Sequence, residues 1–298
     1  MESARDLILH FSSPQFADIA LAVAELKGTP ILSTIRGLLT NDVPLWRLAT
    51  LLDERWMDED VFNALIELLY FTHQARIFYD PTMPVCLFLP TSFLSDARRR
   101  YQGQPRQYTT EILDLRQRLL LTTIRSISIT SVFDDHYTAY VYHVGSTIVD
   151  HGDSLHQSPA DDILDIISWV IAGLGHPPIE TISAGIISQQ GGFNGGEGSC
   201  GIAALNFIEC YADTKLHRWE GSNSHLFRDL ALQNLIRYHD SARVENFPGP
   251  TVVWNIVANI SLPETASAVS PLASGYIDFN MYLPLVSRFY RFVCYIDS

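Results

Sequence analysis

The 298-residue chain has few cysteines, and their spacing excludes two kinds of protein. Four cysteines are too few and too scattered for a disulfide framework. None forms a Cys-x-x-Cys pair of the kind that holds structural zinc. We therefore expect a protein of a reducing compartment, nuclear or cytoplasmic, that needs no metal and no cofactor.

Positive charge and long apolar runs are also scarce. The chain has 20 Lys and Arg against 33 Asp and Glu, a net charge of −13, and its longest basic run is Arg98-Arg99-Arg100. Binding to nucleic acid is disfavoured, because phosphate recognition needs a basic surface. No segment approaches the roughly 18 consecutive apolar residues of a membrane span, and the first residues lack a secretory signal pattern. We expect neither a nucleic-acid partner nor a membrane.

What the chain does contain is a series of short helical and strand patterns, which predict an α+β fold with a central mixed sheet flanked by helices. The predicted strands cover residues 85–89, 124–132, 137–144, 147–149 and 179–187. The predicted helices cover residues 17–23, 45–52, 60–70, 91–101, 160–174, 201–212 and 224–239. Residues 1–40 form a helical lead-in. Residues 243–298 are apolar and rich in aromatics, which predicts a C-terminal extension packed on the main body.

The most unusual segment ends at Cys200. Residues 191–201 contain six glycines, and a helical pattern begins directly after them. A thiol at a helix start faces unpaired backbone N–H groups and the positive end of the helix dipole, which favour the thiolate. A buried, inert cysteine is the ordinary alternative. A loop rich in glycine offers few side chains to pack in a core, so we favour a reactive cysteine over a buried, inert one.

A cysteine nucleophile needs a base, an acid that orients the base, and a donor for the oxyanion. His136 opens one predicted strand, and Asp153 follows the next. The ends of adjacent hairpin strands lie together, so these two residues are candidates for base and acid. Gln189 or Gln190, upstream of Cys200, offers a side-chain amide for the oxyanion. His143 and His151 are rivals for the base, and Asp150 is the alternative acid.

These segments resemble the ubiquitin-like-protein-specific cysteine proteases of the SUMO-deconjugating type, which are related to adenovirus protease. The resemblance covers about residues 40 to 242 and keeps the order of the motifs. It rests on Trp56-Met57-Asp58-Glu59, His136-Tyr137, Asp153-Ser154-Leu155, Gln190, Asn194-Gly195, Cys200-Gly201 and Phe227-Arg228-Asp229-Leu230.

The resemblance implies a papain-like or adenain-like cysteine protease fold spanning residues 1–242. It implies that Cys200 attacks the carbonyl of the C-terminal glycine of a ubiquitin-like modifier, with SUMO favoured. His136 would then protonate the leaving lysine amine, Asp153 would orient His136, and Gln190 would bind the oxyanion. The expected partner is a ubiquitin-like protein or its conjugates.

The resemblance also implies substrate-binding residues. Trp56 would form part of a narrow tunnel that admits only a Gly-Gly tail. Tyr137 stands where the family has a second tunnel tryptophan, and Asn194 lies in a loop longer than the family's. Two alternatives stay open at this point: a protease-like module that binds a ubiquitin-like protein without cutting it, and an acyltransferase on the same scaffold.

Overall fold

The computed structural model describes residues 3–11, 17–52, 56–120, 123–190 and 198–242. Asn194 and the predicted C-terminal extension lie outside the described residues. Within these ranges, no helix is long and apolar enough to cross a membrane.

The order of helices and strands follows the sequence pattern closely. The described strands are β1 (Val85–Leu89), β2 (Ile124–Phe133), β3 (His136–His143), β4 (Ile148–Gly152) and β5 (Thr181–Ala184). The described α-helices are α1 (Ala4–Phe11), α2 (Ala17–Glu25), α3 (Glu59–Tyr79), α4 (Thr91–Gln102), α5 (Thr110–Leu119), α6 (Ile163–Ile171), α7 (Cys200–Ala212) and α8 (Ser224–Ser241). Each predicted strand is present, although β5 is shorter than its pattern suggests.

Four helical segments differ from the prediction, and one of them is α6, which covers only Ile163–Ile171 of the predicted 160–174. The segment at 45–52 is a 3-10 helix, Leu45–Leu51, which follows a proline and has no side-chain cap. Helix α3 continues to Tyr79, nine residues beyond its predicted end. Helix α5 was not predicted, although a signal exists: Thr109 caps it by accepting from the Ile112 N–H at 3.3 Å.

The five strands form one mixed sheet in the order β1-β2-β3-β4-β5. The outer pairs, β1 with β2 and β4 with β5, are parallel, and the two inner pairs are antiparallel. Side chains of β3 alternate between two buried clusters. Tyr137, Ala139 and Val141 join a cluster with the lead-in helices, α3, α7 and α8, whereas Tyr140 and Tyr142 join one with α4, α5 and α6. Helices therefore cover both faces of the sheet, and this architecture confirms the predicted α+β class.

Helix α7 lies against the sheet through Phe207, whose ring fits over two glycines. A Cβ added at Gly152, the last residue of β4, would lie 2.5 Å from the ring, and one added at Gly185 would also lie 2.5 Å from it. No side chain larger than hydrogen fits at either position without displacing the ring. This close approach fixes where α7 sits relative to the end of β4.

We expect Gly152→Ala to lower the free energy of unfolding by about 1–3 kcal/mol, because the methyl group overpacks the Phe207 ring. Combining it with Phe207→Leu should cost less than the sum of the two single changes, since the smaller side chain makes room. Urea denaturation of the four proteins in this cycle measures the coupling.

Gly103→Ala is the matched control for this substitution. Gly103 has φ −67°, and an added Cβ would meet its neighbours only at 3.4 Å or beyond. It should be neutral or slightly stabilising. Strict additivity of Gly152→Ala and Phe207→Leu would contradict the account of this contact.

Candidate active site

A two-residue turn and the pairing of β3 with β4 bring His136 and Asp153 together. Asp134 and Asp135 form the turn between β2 and β3, both with positive φ (47° and 59°), so that β3 begins at His136. Ala139 pairs with Gly152, which places Asp153 beside the start of β3. His136 Nε2 lies 2.6 Å from Asp153 Oδ1, and this is the contact expected of the predicted base and acid.

The Asp153 carboxylate is buried and fully engaged. Its Oδ1 also accepts the Leu155 N–H at 2.8 Å, and its Oδ2 accepts the Gln157 N–H at 3.0 Å. Burial acts to raise the pKa of Asp153, but the hydrogen bonds from His136 and these amides outweigh it and lower the pKa. The carboxylate thus caps a turn and holds the imidazole at the same time.

The imidazole of His136 is held in its protonated form. Burial acts to lower the pKa of His136, but hydrogen bonds to Asp153 and Cys200, together with their negative charges, raise it to about 9. Because Nε2 is engaged by Asp153, Nδ1 is the nitrogen that remains for Cys200. An imidazolium held between a carboxylate and a thiol is the arrangement that activates a cysteine nucleophile.

Cys200 is the first residue of α7, as the sequence predicts, and its side chain is only 3% exposed. The Ala203 N–H donates to the Ser199 carbonyl at 2.9 Å, which begins the backbone ladder of the helix. The amide of Cys200 lies in the first turn of the helix, where N–H groups have no acceptor within the helix, so it is a candidate donor to a bound oxyanion.

Gln190 is the glutamine that the structure brings to the Asp153 segment. Its backbone N–H donates to the Ser154 carbonyl at 2.7 Å, and its side-chain Oε1 accepts from Ser154 Oγ at 3.1 Å. With Oε1 fixed, the Nε2 end of the amide is left to donate elsewhere. Gln189 is exposed, and no contact of its side chain favours it over Gln190. The geometry therefore favours Gln190 for the predicted oxyanion donor.

Trp56 and Tyr137 lie together beside the first turn of α7. Their ring centroids are 5.0 Å apart, and an added Cβ at Gly201 would lie 3.4 Å from both Met57 and Tyr137. Trp56 is partly exposed, whereas Tyr137 is only 1% exposed and donates its hydroxyl to the Met57 carbonyl at 2.9 Å. Tyr137 thus packs against the Trp56 ring and holds the backbone at Met57 through its hydroxyl.

The rival residues are engaged elsewhere. The exposed His143 pairs with Asp150 at 3.6 Å, and Asp150 also accepts from Ser183 Oγ at 2.7 Å. His151 is buried and stacks on Tyr140 with ring centroids 4.7 Å apart. Among these candidates, the structure brings His136 to Cys200 and Asp153.

Sequence reasoning did not assign a role to two residues of α8 that contact the nucleophile segment. Arg228 donates to the Gly198 carbonyl, and Ser224 Oγ lies 2.6 Å from Ser199 Oγ. A buried arginine has no sequence signature, because arginine is ordinarily exposed. Among the described residues, no group of three or more His, Cys, Asp and Glu side chains could hold a metal ion.

Taken together, these residues supply a thiol, an imidazolium, an orienting carboxylate and two potential oxyanion donors, one a side-chain amide and one a backbone N–H. This set can carry out nucleophilic attack on a carbonyl through an acyl-enzyme, with His136 as proton donor to the leaving group. It has no need of a bound metal or cofactor for that chemistry.

We expect Tyr137→Phe to lower the free energy of unfolding by about 1 kcal/mol, because the fully buried Met57 carbonyl loses its donor. Tyr238→Phe is the control, since it removes a similar hydroxyl bond, to the Gly37 carbonyl at 2.8 Å, on α8. Urea denaturation should show losses of similar size. An unchanged stability in Tyr137→Phe alone would argue against the anchoring of Met57.

Comparison with known proteins finds the fold but not a close relative in sequence. No protein-family model matches the chain. No curated protein matches it in sequence either.

Solved structures, by contrast, match over most of the chain. SUMO protease Ulp1 with its catalytic cysteine oxidized to a sulfenic acid has a TM-score of 0.55 at 14% identity, covering 77% of this chain and 98% of that one. The C-terminal Ulp1 protease domain in complex with Smt3, the yeast ortholog of SUMO, has a TM-score of 0.52 at 16% identity, covering 76% of this chain and 95% of that one. The Chaetomium thermophilum Ulp1-like SUMO protease catalytic domain has a TM-score of 0.56 at 17% identity, covering 79% of this chain and 93% of that one. The chain thus has the α+β cysteine protease fold of the Ulp1-like SUMO protease catalytic domains.

Proposed function

We propose that the protein is a cysteine protease that cleaves after the C-terminal Gly-Gly of a ubiquitin-like modifier, with SUMO the favoured modifier. The observation that carries the proposal is the 2.6 Å hydrogen bond between His136 and Asp153 on this fold, and the interaction with Cys200 that helps to raise the pKa of His136 supports it. The solved complex of an Ulp1 protease domain with Smt3 supports a ubiquitin-like partner.

In the proposed reaction, the Cys200 sulfur attacks the carbonyl carbon of the terminal glycine. The developing oxyanion accepts hydrogen bonds from the Cys200 N–H and from Gln190 Nε2. His136 gives its proton to the leaving lysine amine as the C–N bond breaks, and Asp153 keeps the ring oriented. Water then hydrolyses the thioester and releases the modifier with a free carboxylate.

Trp56 accounts for selection of the tail. Its partly exposed indole lies above Tyr137 and next to the segment that contacts Gly201. A side chain on either of the last two substrate residues would collide with this indole, whereas glycine has none. Asn194 precedes Cys200 by six positions in the sequence, and we keep it as a candidate substrate contact.

The proposal is tested with ubiquitin-like proteins that carry an electrophile at the C-terminus. A SUMO probe should form a covalent adduct with the wild-type protein and with Cys210→Ala, whose thiol is buried away from the site. Cys200→Ala should form none. Intact-mass measurement after incubation with SUMO, ubiquitin and related modifiers gives the result.

Failure of every modifier to form an adduct would overturn the proposal. Reversible binding of SUMO without an adduct would favour a binding module that does not cut. Transfer of an acetyl group from acetyl-CoA to the protein at Cys200, with no reaction of the probes, would favour the acyltransferase.

The pH profile tests the role assigned to His136. Activity needs the protonated ring, so kcat/KM on a SUMO C-terminal substrate should fall as the pH rises through about 9. Asp153→Asn removes the hydrogen bond and charge that raise the pKa, so its alkaline limb should move to lower pH. Its kcat should also fall about a hundredfold or more.

His143→Gln is the matched control, since it removes an exposed histidine that pairs with Asp150 rather than Asp153. Its pH profile should match that of the wild type. An alkaline limb that stays in place in Asp153→Asn would contradict the assignment of the acid.

A further inference from the structure

Arg228, on α8, carries a charge into the interior of the protein. Its side chain is only 2% exposed. Burying a guanidinium is costly unless acceptors replace its water. Two of its acceptors are backbone carbonyls: that of Thr50, at 3.0 Å from Nη1, and that of Gly198, which accepts from Nη2.

The two carbonyls belong to chain segments that lead, in sequence, to two residues of the candidate active site, Cys200 and Trp56. Gly198 stands two residues before Cys200. Thr50 lies in the 3-10 helix Leu45–Leu51, on the path of the chain toward Trp56. A single planar side chain therefore joins the approach to the nucleophile with the approach to the proposed tunnel.

A second contact from α8 supports the same segment. Ser224, the first residue of α8, lies with its Oγ 2.6 Å from Ser199 Oγ, and both side chains are buried. Gly198 and Ser199, the two residues that precede Cys200, are thus each held by α8. Gly198 has no side chain to restrict its own backbone, so these contacts supply the restriction.

The direction of these contacts matters for the chemistry. Arg228 binds the carbonyl oxygen of Gly198, so the oxygen side of that peptide faces α8. The Ser199 N–H lies in the same peptide plane and points to the opposite side, and the carbonyl of the next peptide, that of Ser199, accepts the Ala203 N–H that begins α7. A rotation of the Gly198 peptide would shift Ser199 and, through it, the first turn of α7, which carries the Cys200 thiol and N–H.

We propose that Arg228 is a positioning residue, which acts through the Gly198 carbonyl to orient the Cys200 thiol and the Cys200 N–H. The proposal rests on the proposed function. Arginine suits the task because its rigid fork can donate to two carbonyls at once. A lysine keeps the charge but presents one compact ammonium, so it cannot hold both carbonyls in this geometry.

Arg228→Lys tests the proposal, with Arg76→Lys as the matched control. Arg76 is also a largely buried arginine tied to α7, but at its opposite end, where it pairs with Asp213 at 2.9 Å. For each variant, kcat and KM are measured on a SUMO C-terminal substrate, normalised to the folded fraction from urea denaturation. Arg228→Lys should lower kcat about tenfold or more with little change in KM, since misplaced reacting atoms slow the chemical step.

Arg76→Lys should lose stability and keep the wild-type kcat. A purely structural role for Arg228 would make the two variants alike, and equal kcat values per folded molecule would overturn the proposal. If Arg228→Lys does not fold, Ser224→Ala takes its place. That variant should lower kcat by a smaller factor with KM unchanged, and an unaltered kcat would count against control of the segment by α8.

A readout that needs no modifier separates this proposal from the proposed function. Alkylation of Cys200 by iodoacetamide, located by mass spectrometry, reports the orientation of the thiol toward His136. Arg228→Lys should slow it at neutral pH, and Arg76→Lys should not. If Arg228→Lys is alkylated more slowly than the wild type, but the wild type cleaves no modifier, only the proposed function is overturned. Equal alkylation rates in an active protein would overturn only the role of Arg228.

Discussion

The hydrogen bond between His136 and Asp153 depends on one strand register, and the candidate site depends on that bond. The turn at Asp134 and Asp135 starts β3 at His136, and the pairing of Ala139 with Gly152 ends β4 one residue before Asp153. A slip of one residue would send each side chain of β4 to the opposite face of the sheet. The carboxylate would then be lost from the imidazole, and with it the main support for a protonated His136.

The nucleophile reaches this pair by a different route, through packing rather than strand pairing. Phe207 lies over Gly152, the residue next to Asp153, and over Gly185. The same contact that buries α7 against the sheet therefore sets the distance between the helix and the acid. Two contacts from α8 hold the residues that lead into Cys200. His136, Asp153 and the start of α7 are thus held by strand pairing, core packing and contacts from α8.

The sequence predicts the strands, the start of α7 at Cys200 and the proximity of His136 to Asp153, because these depend on local patterns and short motifs. The sequence does not reveal the contacts of Arg228 or the packing of Phe207 over Gly152 and Gly185, because those contacts join residues far apart in the chain. The contacts that distinguish Gln190 from Gln189, its bonds to Ser154, are likewise invisible in the sequence because they join positions 36 residues apart. Helix α5 was missed for a different reason: its polar composition hides a capped amphipathic pattern.

The packing of Phe207 over Gly152 and Gly185 has a consequence for a chain that is still being synthesised. Both glycines precede α7 in the sequence, so the sheet can form its platform before the helix that carries Cys200 leaves the ribosome. Until Phe207 docks on that platform, Cys200 does not lie beside His136 and Asp153. We therefore expect the candidate site to be assembled only when α7 has packed on the sheet.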